Sequence, residues 1–397
     1  MTRRGVRRFA GAVMSIGSVV LASQFLAPAT EPVAAMAAAP ACGAAPAGTA
    51  RCLGLFLQLG AHRATAPGAG PAGGLAPAEI RSAYNLPAAG AHGRTVAIVD
   101  AFDDPNAEAD LGVYRAAFGL PACTTANGCF HKVDQRGGSA SHPAADAGWS
   151  QEIALDLDMV SAACPDCHIL LVEADNADMP SLGQAEITAA THPGVVAVSN
   201  SFGSTESPVE VTWDALYFIH PGVSIVAASG DSGYGAMYPA ASPLVTAVGG
   251  TSLTQSGGPR GWTETGWGSS GSGCSSYEPA PIWQQGTGCS RRSVADVAAV
   301  ADPATGVAVY DSFQSKGWTV AGGTSAASPI VASVYALAGN TLLMVGASHA
   351  YVNATALTDI LQGQSNTLLC LFGNSCRPGP GYDGPTGLGS PWGLGAF

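Results

Sequence analysis

Short apolar runs alternate with amphipathic stretches along the chain from about Ala78 onward. The runs predict β-strands, and the stretches with apolar residues three and four positions apart predict helices. The predicted strands are 95–100, 168–172, 195–199, 223–228 and 245–248, and the predicted helices are 104–118, 148–163, 181–192, 208–220 and 326–338. Short apolar strands that alternate with helices indicate an α/β fold, with a mostly parallel sheet covered by helices on both faces.

The N-terminus has the pattern of a targeting segment. Four arginines within the first eight residues precede an apolar run over residues 9–26 and the small residues Ala27, Pro28 and Ala29. This order predicts a signal peptide over residues 1–29. A membrane anchor is the alternative, but Pro28 and the Ala/Pro-rich sequence behind the run favour cleavage. We therefore expect a secreted, extracellular protein with no stable membrane association after signal cleavage.

The remainder divides into two regions of different composition. Residues 30–77 are dominated by Ala, Gly and Pro and lack a sustained periodicity, so they predict a linker or a short pro-segment. Residues 78–397 carry the alternating pattern and are interpreted as one catalytic domain, in which regular structure begins.

Composition and charge narrow the possible partners. Hydrophobic residues make up 47% of the chain and charged residues 11%, which suits a large core and excludes a disordered solvating chain. The formal net charge of −12 argues against nucleic acid or an anionic membrane as the main partner. We expect the protein to act as a monomer.

Ten cysteines fall into neighbouring pairs. An even number at short separations predicts local disulfides in an oxidising compartment. Zinc is the alternative for Cys164 and Cys167, but no second pair at matching spacing has a nearby histidine. The predicted disulfides are Cys42–Cys52, Cys123–Cys129, Cys164–Cys167, Cys274–Cys289 and Cys370–Cys376.

The candidate nucleophile is Ser325, in the sequence GGTSAASP at residues 322–329. The two glycines allow a substrate to approach closely, and Ser325 comes where a helix begins, beside free N–H groups and the positive end of the helix dipole. A Gly-rich turn with serine as helix cap is the structural alternative. The sequence is, however, similar to the nucleophile motif of the subtilisin and sedolisin clan.

A nucleophilic serine needs a base, and a subtilisin-type enzyme would use histidine. None of the eight histidines has the His-Gly-Thr setting of such a base, and His92-Gly93 precedes the first predicted strand. Asp100, which closes that strand, resembles the acidic residue of the subtilisin triad but lacks its histidine. A neutral subtilisin-type peptidase is therefore the weaker hypothesis.

Glu152 and Asp156 supply a different base. Carboxyls at positions i and i+4 lie on one face of a helix, close enough to share a proton, and their mutual repulsion separates their pKa values. Asp158 faces another direction. An exposed acidic helix face is the alternative, but the neighbouring apolar residues predict a largely buried helix, which favours catalysis.

Three motifs in order resemble the sedolisin family of serine-carboxyl peptidases. They are Glu-x-x-x-Asp at 152–156, the turn ASGDSG at 228–233, and the motif around Ser325. The resemblance implies a subtilisin-like, doubly wound, mostly parallel sheet. It also implies an enzyme that hydrolyses protein or peptide substrates through an acyl-enzyme at acidic pH. Ser325 would attack, Glu152 would take its proton and Asp156 would orient Glu152. Asp231 would be a protonated oxyanion-hole donor beside the N–H of Ser325.

The C-terminal region contains a candidate calcium site. The carboxylates of Asp359 and Asp383, together with several backbone carbonyls, offer the hard oxygen ligands that Ca²⁺ prefers. The family resemblance extends this set to the carbonyls of Ile360, Gly379 and Gly381. A plain Asp-Gly turn is the alternative.

The chain departs from the family pattern at three points. Phe202 stands where the family often has tryptophan in Ser-Trp-Gly, and Asp100 stands where some members have glutamate. The family also carries a large folded pro-domain, for which residues 30–76 are too short. A catalytically silent exported binding protein on the same scaffold is therefore the alternative from a different functional class.

Overall fold

A computed structural model describes residues 1–2, 37–46, 48–57, 70–340, 345–363 and 375–397. The predicted signal peptide, apart from its first two residues, lies outside these ranges. The account below concerns the body that begins after residue 36.

The bounds of the elements are as follows. The strands are β1 Ala38–Pro40, β2 Arg51–Cys52, β3 Leu55–Leu57, β4 Thr95–Ala101, β5 Phe130–Asp134, β6 His168–Ala174, β7 Val195–Asn200, β8 Phe202–Thr205, β9 Ser224–Ala228, β10 Met237–Tyr238, β11 Thr246–Gln255, β12 Trp262–Gly266, β13 Gly273–Cys274, β14 Ser293–Val294, β15 Val297–Val300, β16 Val307–Asp311, β17 Gly317–Gly322, β18 Leu357–Thr358 and β19 Ser390–Pro391. The α-helices are α1 Pro77–Tyr84, α2 Ala107–Ala117, α3 Ala147–Ala163, α4 Met179–Thr191, α5 Glu210–Tyr217, α6 Thr324–Ala338 and α7 Ser348–Val352.

The main sheet has the order β12-β11-β9-β7-β4-β6-β5, with β15 also paired to β11. Every pairing in it is parallel except that of β11 with β12. Parallel strands need crossover connections, and the helices predicted between the strands provide them. The predicted α/β class with a mostly parallel sheet is confirmed.

The side chains of β4 show how both faces of the sheet are covered. Val96 and Ile98 belong to one core cluster, together with residues of α3 and α6. Ala97 and Val99 point to the opposite face and belong to a second cluster, which includes residues of α4. Because successive strand residues alternate between faces, an all-apolar strand indicates burial on both sides.

Regular structure begins earlier than the composition indicates. Within the predicted linker, β1 pairs with β3, β2 pairs with β8, and β3 pairs with β17. Two- and three-residue strands carry too few side chains for a period to be detected. Their backbone pairing with distant strands, rather than a local pattern, determines their conformation.

Pro329 lies inside α6, beyond the first helical turn, in which a proline would remove no hydrogen bond. Its missing N–H leaves the Ser325 carbonyl without its usual partner in the helix. The Ser201 hydroxyl lies 3.4 Å from that carbonyl oxygen and is positioned to donate to it.

Four of the five predicted disulfides are confirmed, and the fifth involves Cys370, which lies outside the described residues. The confirmed bonds are Cys42–Cys52, Cys123–Cys129, Cys164–Cys167 and Cys274–Cys289. In the part of the chain that the structure describes, the helices are too short or too polar to cross a bilayer.

Candidate active site

Three separate elements bring the predicted catalytic residues together. Glu152 and Asp156 lie on α3, Ser325 is the second residue of α6, and Asp231 lies in the turn after β9. β7 and β9 are parallel neighbours, so Ser201 and Asp231, which follow them, lie at the same edge of the main sheet. Hydrogen bonds bring the other residues to this place, because Ser201 bonds both Ser325 and Asp156, and Thr324, next to Ser325, bonds Asp231.

Ser325 is buried at the start of α6. Its Oγ donates to the Ser201 carbonyl oxygen at 3.3 Å. Gly323, two residues before Ser325, is the N-cap of α6. Its φ of 88° is a backbone conformation that favours glycine. A side chain at Gly323 would also collide with the Leu53 carbonyl oxygen and come within 2.8 Å of Asp231 Oδ2.

Glu152 is fully buried, and its Oε2 accepts a hydrogen bond from the Gly54 N–H at 2.7 Å. Burial, followed by the charge of Asp156, raises the pKa of Glu152 well above its usual value. The neighbouring Ser325 hydroxyl and the hydrogen bond from the Gly54 amide oppose this rise. Glu152 is therefore protonated more readily than a solvated glutamate, yet its ionised form keeps the Gly54 amide as a donor.

Two further buried carboxyl groups, those of Asp156 and Asp100, lie near Glu152. Asp156 Oδ1 accepts from the Ser201 hydroxyl at 2.7 Å, and burial raises the pKa of Asp156 well above its usual value. Asp100 has no hydrogen-bond partner among the described residues. Its pKa is raised by burial and then by the charges of Asp156 and Glu152. Such a row of buried acids is stable only when most of its members are protonated.

Asp231 has one bonded and one free carboxyl oxygen. Its Oδ1 accepts from the Thr324 N–H at 2.8 Å and from the Thr324 hydroxyl at 2.9 Å. Its Oδ2 is buried and has no hydrogen-bond partner among the described residues. Burial raises the pKa of Asp231 to about 7, against the lowering effects of Thr324 and then Arg51. Below neutral pH the carboxyl is protonated, so it can donate to a developing oxyanion.

Sequence reasoning missed three residues that complete this geometry. Ser201 holds Asp156 with its hydroxyl and accepts from Ser325 with its carbonyl. Thr324 holds Asp231, and Gly54 donates to Glu152. Ser201 could have been found, because it directly follows a buried strand at the same sheet edge. Gly54 gave no signal, since it lies in a Gly/Ala-rich segment far from the motifs.

The histidines give no support to a subtilisin-type base. Among the described residues, no histidine makes a hydrogen bond to Ser325. His142 bonds Glu173 at 3.1 Å, and Lys132 bonds both Glu173, at 3.0 Å, and Asp103. The ligand-type atoms of Asp103, His142 and Glu173 lie within 4.8 Å of one another. Because the ammonium of Lys132 already balances charge there, this cluster is explained without a metal.

The two aspartates of the predicted calcium site lie close together. Asp383 is buried, and its pKa is raised to about 7 by burial and further by the charge of Asp359. Asp383 accepts from the N–H of Gly379 at 3.0 Å, and Asp359 accepts from the N–H of Gly381 at 2.9 Å. No ion pair joins either aspartate to a basic side chain within the described ranges. Two neighbouring carboxylates without an ion pair offer hard oxygen ligands of the kind that Ca²⁺ takes.

Comparison with known proteins agrees with this geometry. The family model described as "Subtilase family" matches residues 134–374, more than half of the chain. Kumamolisin from Bacillus sp. (strain MN-32) is 33% identical over 366 residues, which cover 80% of this chain and 62% of kumamolisin. Sedolisin from Pseudomonas sp. (strain 101) is 32% identical over 175 residues, which cover 40% of this chain and 29% of sedolisin. The chain thus spans less than two thirds of the length of either relative.

A solved structure supports the fold independently. It is described as "Pseudomonas sedolisin (serine-carboxyl proteinase) complexed with two molecules of pseudo-iodotyrostatin". Its TM-score is 0.66 at 24% identity, over 80% of this chain and 95% of that one. The subtilisin-like architecture expected from the motifs is therefore confirmed. The chain belongs to the subtilase family, and its sequence is similar to those of kumamolisin and sedolisin.

Proposed function

We propose that the chain is an exported serine-carboxyl peptidase that hydrolyses protein or peptide substrates at acidic pH. The observation that carries this proposal is the meeting of Ser325, a buried carboxyl pair and the free oxygen of Asp231 in one site. A carboxyl base works near its own pKa, and a carboxylic acid ordinarily ionises in the acidic range. Burial raises the pKa of Asp231 to about 7, so Asp231 keeps its proton in such a medium.

In the proposed reaction, Ser325 Oγ attacks the substrate carbonyl carbon while its proton passes to Glu152. Asp156, fixed by Ser201, holds the second proton of the pair and orients Glu152. The protonated Asp231 and the N–H of Ser325 donate to the oxyanion. Glu152 then returns its proton to the leaving nitrogen, and water hydrolyses the acyl-enzyme by the same steps.

A serine-directed phosphonate tests this proposal. We expect it to modify Ser325 between pH 3 and 6, and mass spectrometry of the digested protein would locate the adduct. Ser325→Ala should remove both labelling and hydrolysis of a mixed peptide library. Ser328→Ala is the matched control, because that serine lies on the same helix and bonds the Ser199 hydroxyl. A folded protein without labelling or hydrolysis in any variant would favour the silent binding protein.

We also propose that Ca²⁺ binds Asp359 and Asp383, with the carbonyls of Ile360, Gly379 and Gly381 as further ligands. The supporting observation is the buried, uncompensated charge of Asp383 beside Asp359. A cation there would neutralise both carboxylates and hold the C-terminal segment in place.

A further inference from the structure

Lysine is rare in this chain. Only two of the 16 basic residues, Lys132 and Lys316, are lysines, and the rest are arginines. Lys132 lies on β5, the edge strand of the main sheet. An arginine at this position could bind a carboxylate through two parallel hydrogen bonds, so an ion pair alone does not require lysine. Lysine differs from arginine in one chemical respect, because its amine can lose a proton and act as a nucleophile.

The Nζ atom of Lys132 contacts two carboxyl groups. It bonds Asp103 Oδ1 and lies 3.0 Å from Glu173 Oε1. It also donates to the Asp104 carbonyl oxygen at 2.6 Å, and the Asp104 N–H donates to Glu173 Oε1 at 3.1 Å. The side chains of Lys132 and Asp103 are only 15% and 14% exposed, and that of Glu173 is 0% exposed. The amine and the two acids therefore meet where bulk water has little access.

The backbone holds Asp103 and Lys132 in place beside each other. The Asp103 N–H donates to the Ala144 carbonyl at 3.1 Å, and the Asp103 carbonyl accepts from the Asp146 N–H at 3.3 Å. Lys132 is fixed by the pairing of β5 with β6, in which it lies opposite Leu171. Reacting groups that are held in contact behave as if they were present at a very high concentration. The fold thus supplies an approach that two free side chains would lack.

Glu173 is placed to carry a proton between the amine and the acid. Its side chain is fully buried, and burial raises its pKa to about 8, against the lowering charge of Lys132. At neutral pH the carboxyl group therefore holds a proton. Its Oε1 faces the Lys132 amine, and His142 Nδ1 lies 3.1 Å from its Oε2. A protonated carboxyl group can take a proton on one oxygen while it gives its own proton from the other.

We propose that Lys132 and Asp103 condense to form an isopeptide bond, an amide between Lys132 Nζ and Asp103 Cγ. Glu173 is the catalytic residue of this reaction, because it touches the attacking nitrogen. The reaction uses no residue of the candidate active site. It therefore stands independently of the proposed peptidase function.

The reaction releases one molecule of water and needs no oxidant, reductant or added group. A proton first passes from the Lys132 ammonium to the Asp103 carboxylate, which makes both groups neutral. The lone pair of Nζ then forms a bond to Asp103 Cγ, and one N–H proton passes to Glu173 Oε1. Glu173 gives its own proton to the Asp103 hydroxyl, the bond from Cγ to that oxygen breaks, and water leaves. Glu173 ends with one proton, as it began.

The bond joins two parts of the main sheet that are not neighbours. The sheet order places β6 between β4 and β5, and Asp103 follows β4. The two linked residues are 29 positions apart in sequence. The link therefore fixes the edge strand to the end of β4, which carries Asp100, and it restricts the unfolded chain as a disulfide does.

Trypsin digestion of the folded, then denatured and reduced, full-length protein tests the proposal. Trypsin cuts after lysine and arginine, so an unlinked chain yields Asp103 in peptide 95–115 and Lys132 at the end of peptide 116–132. An acylated lysine is not cut. We expect peptides 95–115 and 116–136 to be joined, with a mass about 18 Da below their sum because one water is lost. Recovery of the separate peptides alone would overturn the proposal.

Three variants distinguish this bond from other losses of water. Lys132→Arg is the matched control, because it keeps the charge and should give separate peptides. A loss of water from peptide 95–115 that persists in this variant would be a cyclic imide and would overturn the proposal. Asp103→Asn should still join, with a loss of about 17 Da, the mass of ammonia. Glu173→Gln cannot exchange a proton, so the yield of joined peptide should fall at least about tenfold. An unchanged yield would remove Glu173 from the reaction.

Discussion

Two buried acidic regions of the molecule have opposite designs. Around Asp296 every oxygen is bonded: Oδ1 accepts from Gln284, Arg292 and Tyr351, and Oδ2 accepts from Arg292 and the Ala247 N–H. The guanidinium of Arg292 balances the charge.

Around Glu152, by contrast, no basic side chain makes an ion pair with any of the acids within the described ranges. Oxygens of Glu152, Asp156, Asp100 and Asp231 have no hydrogen-bond partner there.

The two regions differ in whether their carboxyl groups can change protonation state. A paired, fully bonded carboxylate is held in one protonation state and can only support the fold. A carboxyl without a cation must exchange its proton as pH or a neighbouring group changes, and that exchange is what acid–base catalysis requires. The partners of a buried acid in this chain, rather than its depth, therefore indicate whether it can take part in acid–base chemistry.

Replacing Glu152 by glutamine gives the largest expected effect. The amide cannot accept the proton of Ser325, so turnover should fall about 10⁴-fold, or about 5.5 kcal/mol. Initial rates at pH 4 would be compared between folded Glu152→Gln and wild type. The melting temperature at neutral pH should not fall, because no ion pair is lost.

The contrasting variant is Asp296→Asn, which leaves the Arg292 charge buried and unpaired. Its unfolding free energy should fall by about 3 to 5 kcal/mol. An equal loss of unfolding free energy in Glu152→Gln and Asp296→Asn would contradict the difference between the two acidic regions.

Asp231 comes next. Losing one oxyanion donor typically lowers turnover about 100- to 1,000-fold, or about 2.7 to 4 kcal/mol. We expect Asp231→Ala to lose this much, while Asp231→Asn retains a donor and loses less. The wild-type rate should also fall as pH rises through about 7, where Asp231 gives up its proton, and the Asn variant should lack this fall. Rates from pH 4 to 8 in folded proteins decide it, and equal rates for Asp231→Ala and wild type would make Asp231 a turn residue only.

Chelation should have a smaller effect. A ligand present at 100 times its Kd stabilises the native state by about 2.7 kcal/mol, and removing Ca²⁺ would remove that much. We expect a chelator to lower the melting temperature and added Ca²⁺ to restore it. Asp359→Ala, at an exposed position, should melt at the same temperature with and without chelator. An unchanged wild-type melting curve would argue against the site.

For a single group over one pH unit, the dependence of stability on pH is the smallest expected effect. Burial raises the pKa of Asp231 to about 7 and those of Asp100, Glu152 and Asp156 well above their usual range. A raised carboxyl pKa means that the folded state binds more protons than the unfolded state. The stability is thus fully present below about pH 4 and is lost as pH rises through the folded pKa.

Each such group contributes at most about 1.4 kcal/mol per pH unit. Urea unfolding at pH 4 to 8 should therefore show falling stability, with a shallower fall in Asp231→Asn. A rise in stability towards pH 8 would contradict these shifts.

The sequence predicted the long elements well and the short ones poorly. α3 and α6 are long and strongly patterned, and their predicted spans differ from the structure by one or two residues. β5, β16 and β17 were missed because amphipathic or Gly-containing strands of five or six residues resemble loops. β2 and β3 were missed because they pair with β8 and β17, which are more than one hundred residues away in sequence.

The candidate site shows the same difference between local and long-range information. Glu152 and Asp156 could be predicted because their spacing on one helix is local information. The role of Gly54 could not, since it depends on a hydrogen bond to Glu152, which is distant in sequence. The catalytic roles of all these residues remain predictions.

The row of cation-free buried acids also changes how the molecule behaves in an electric field. The formal charge of −12 counts every carboxyl as ionised. Acids that keep their protons at neutral pH contribute nothing to it, so the folded protein carries less negative charge than its sequence indicates. Unfolding restores their ordinary titration, and the released chain becomes more anionic. The folded and unfolded forms should therefore separate in native electrophoresis near pH 6 by charge as well as by size.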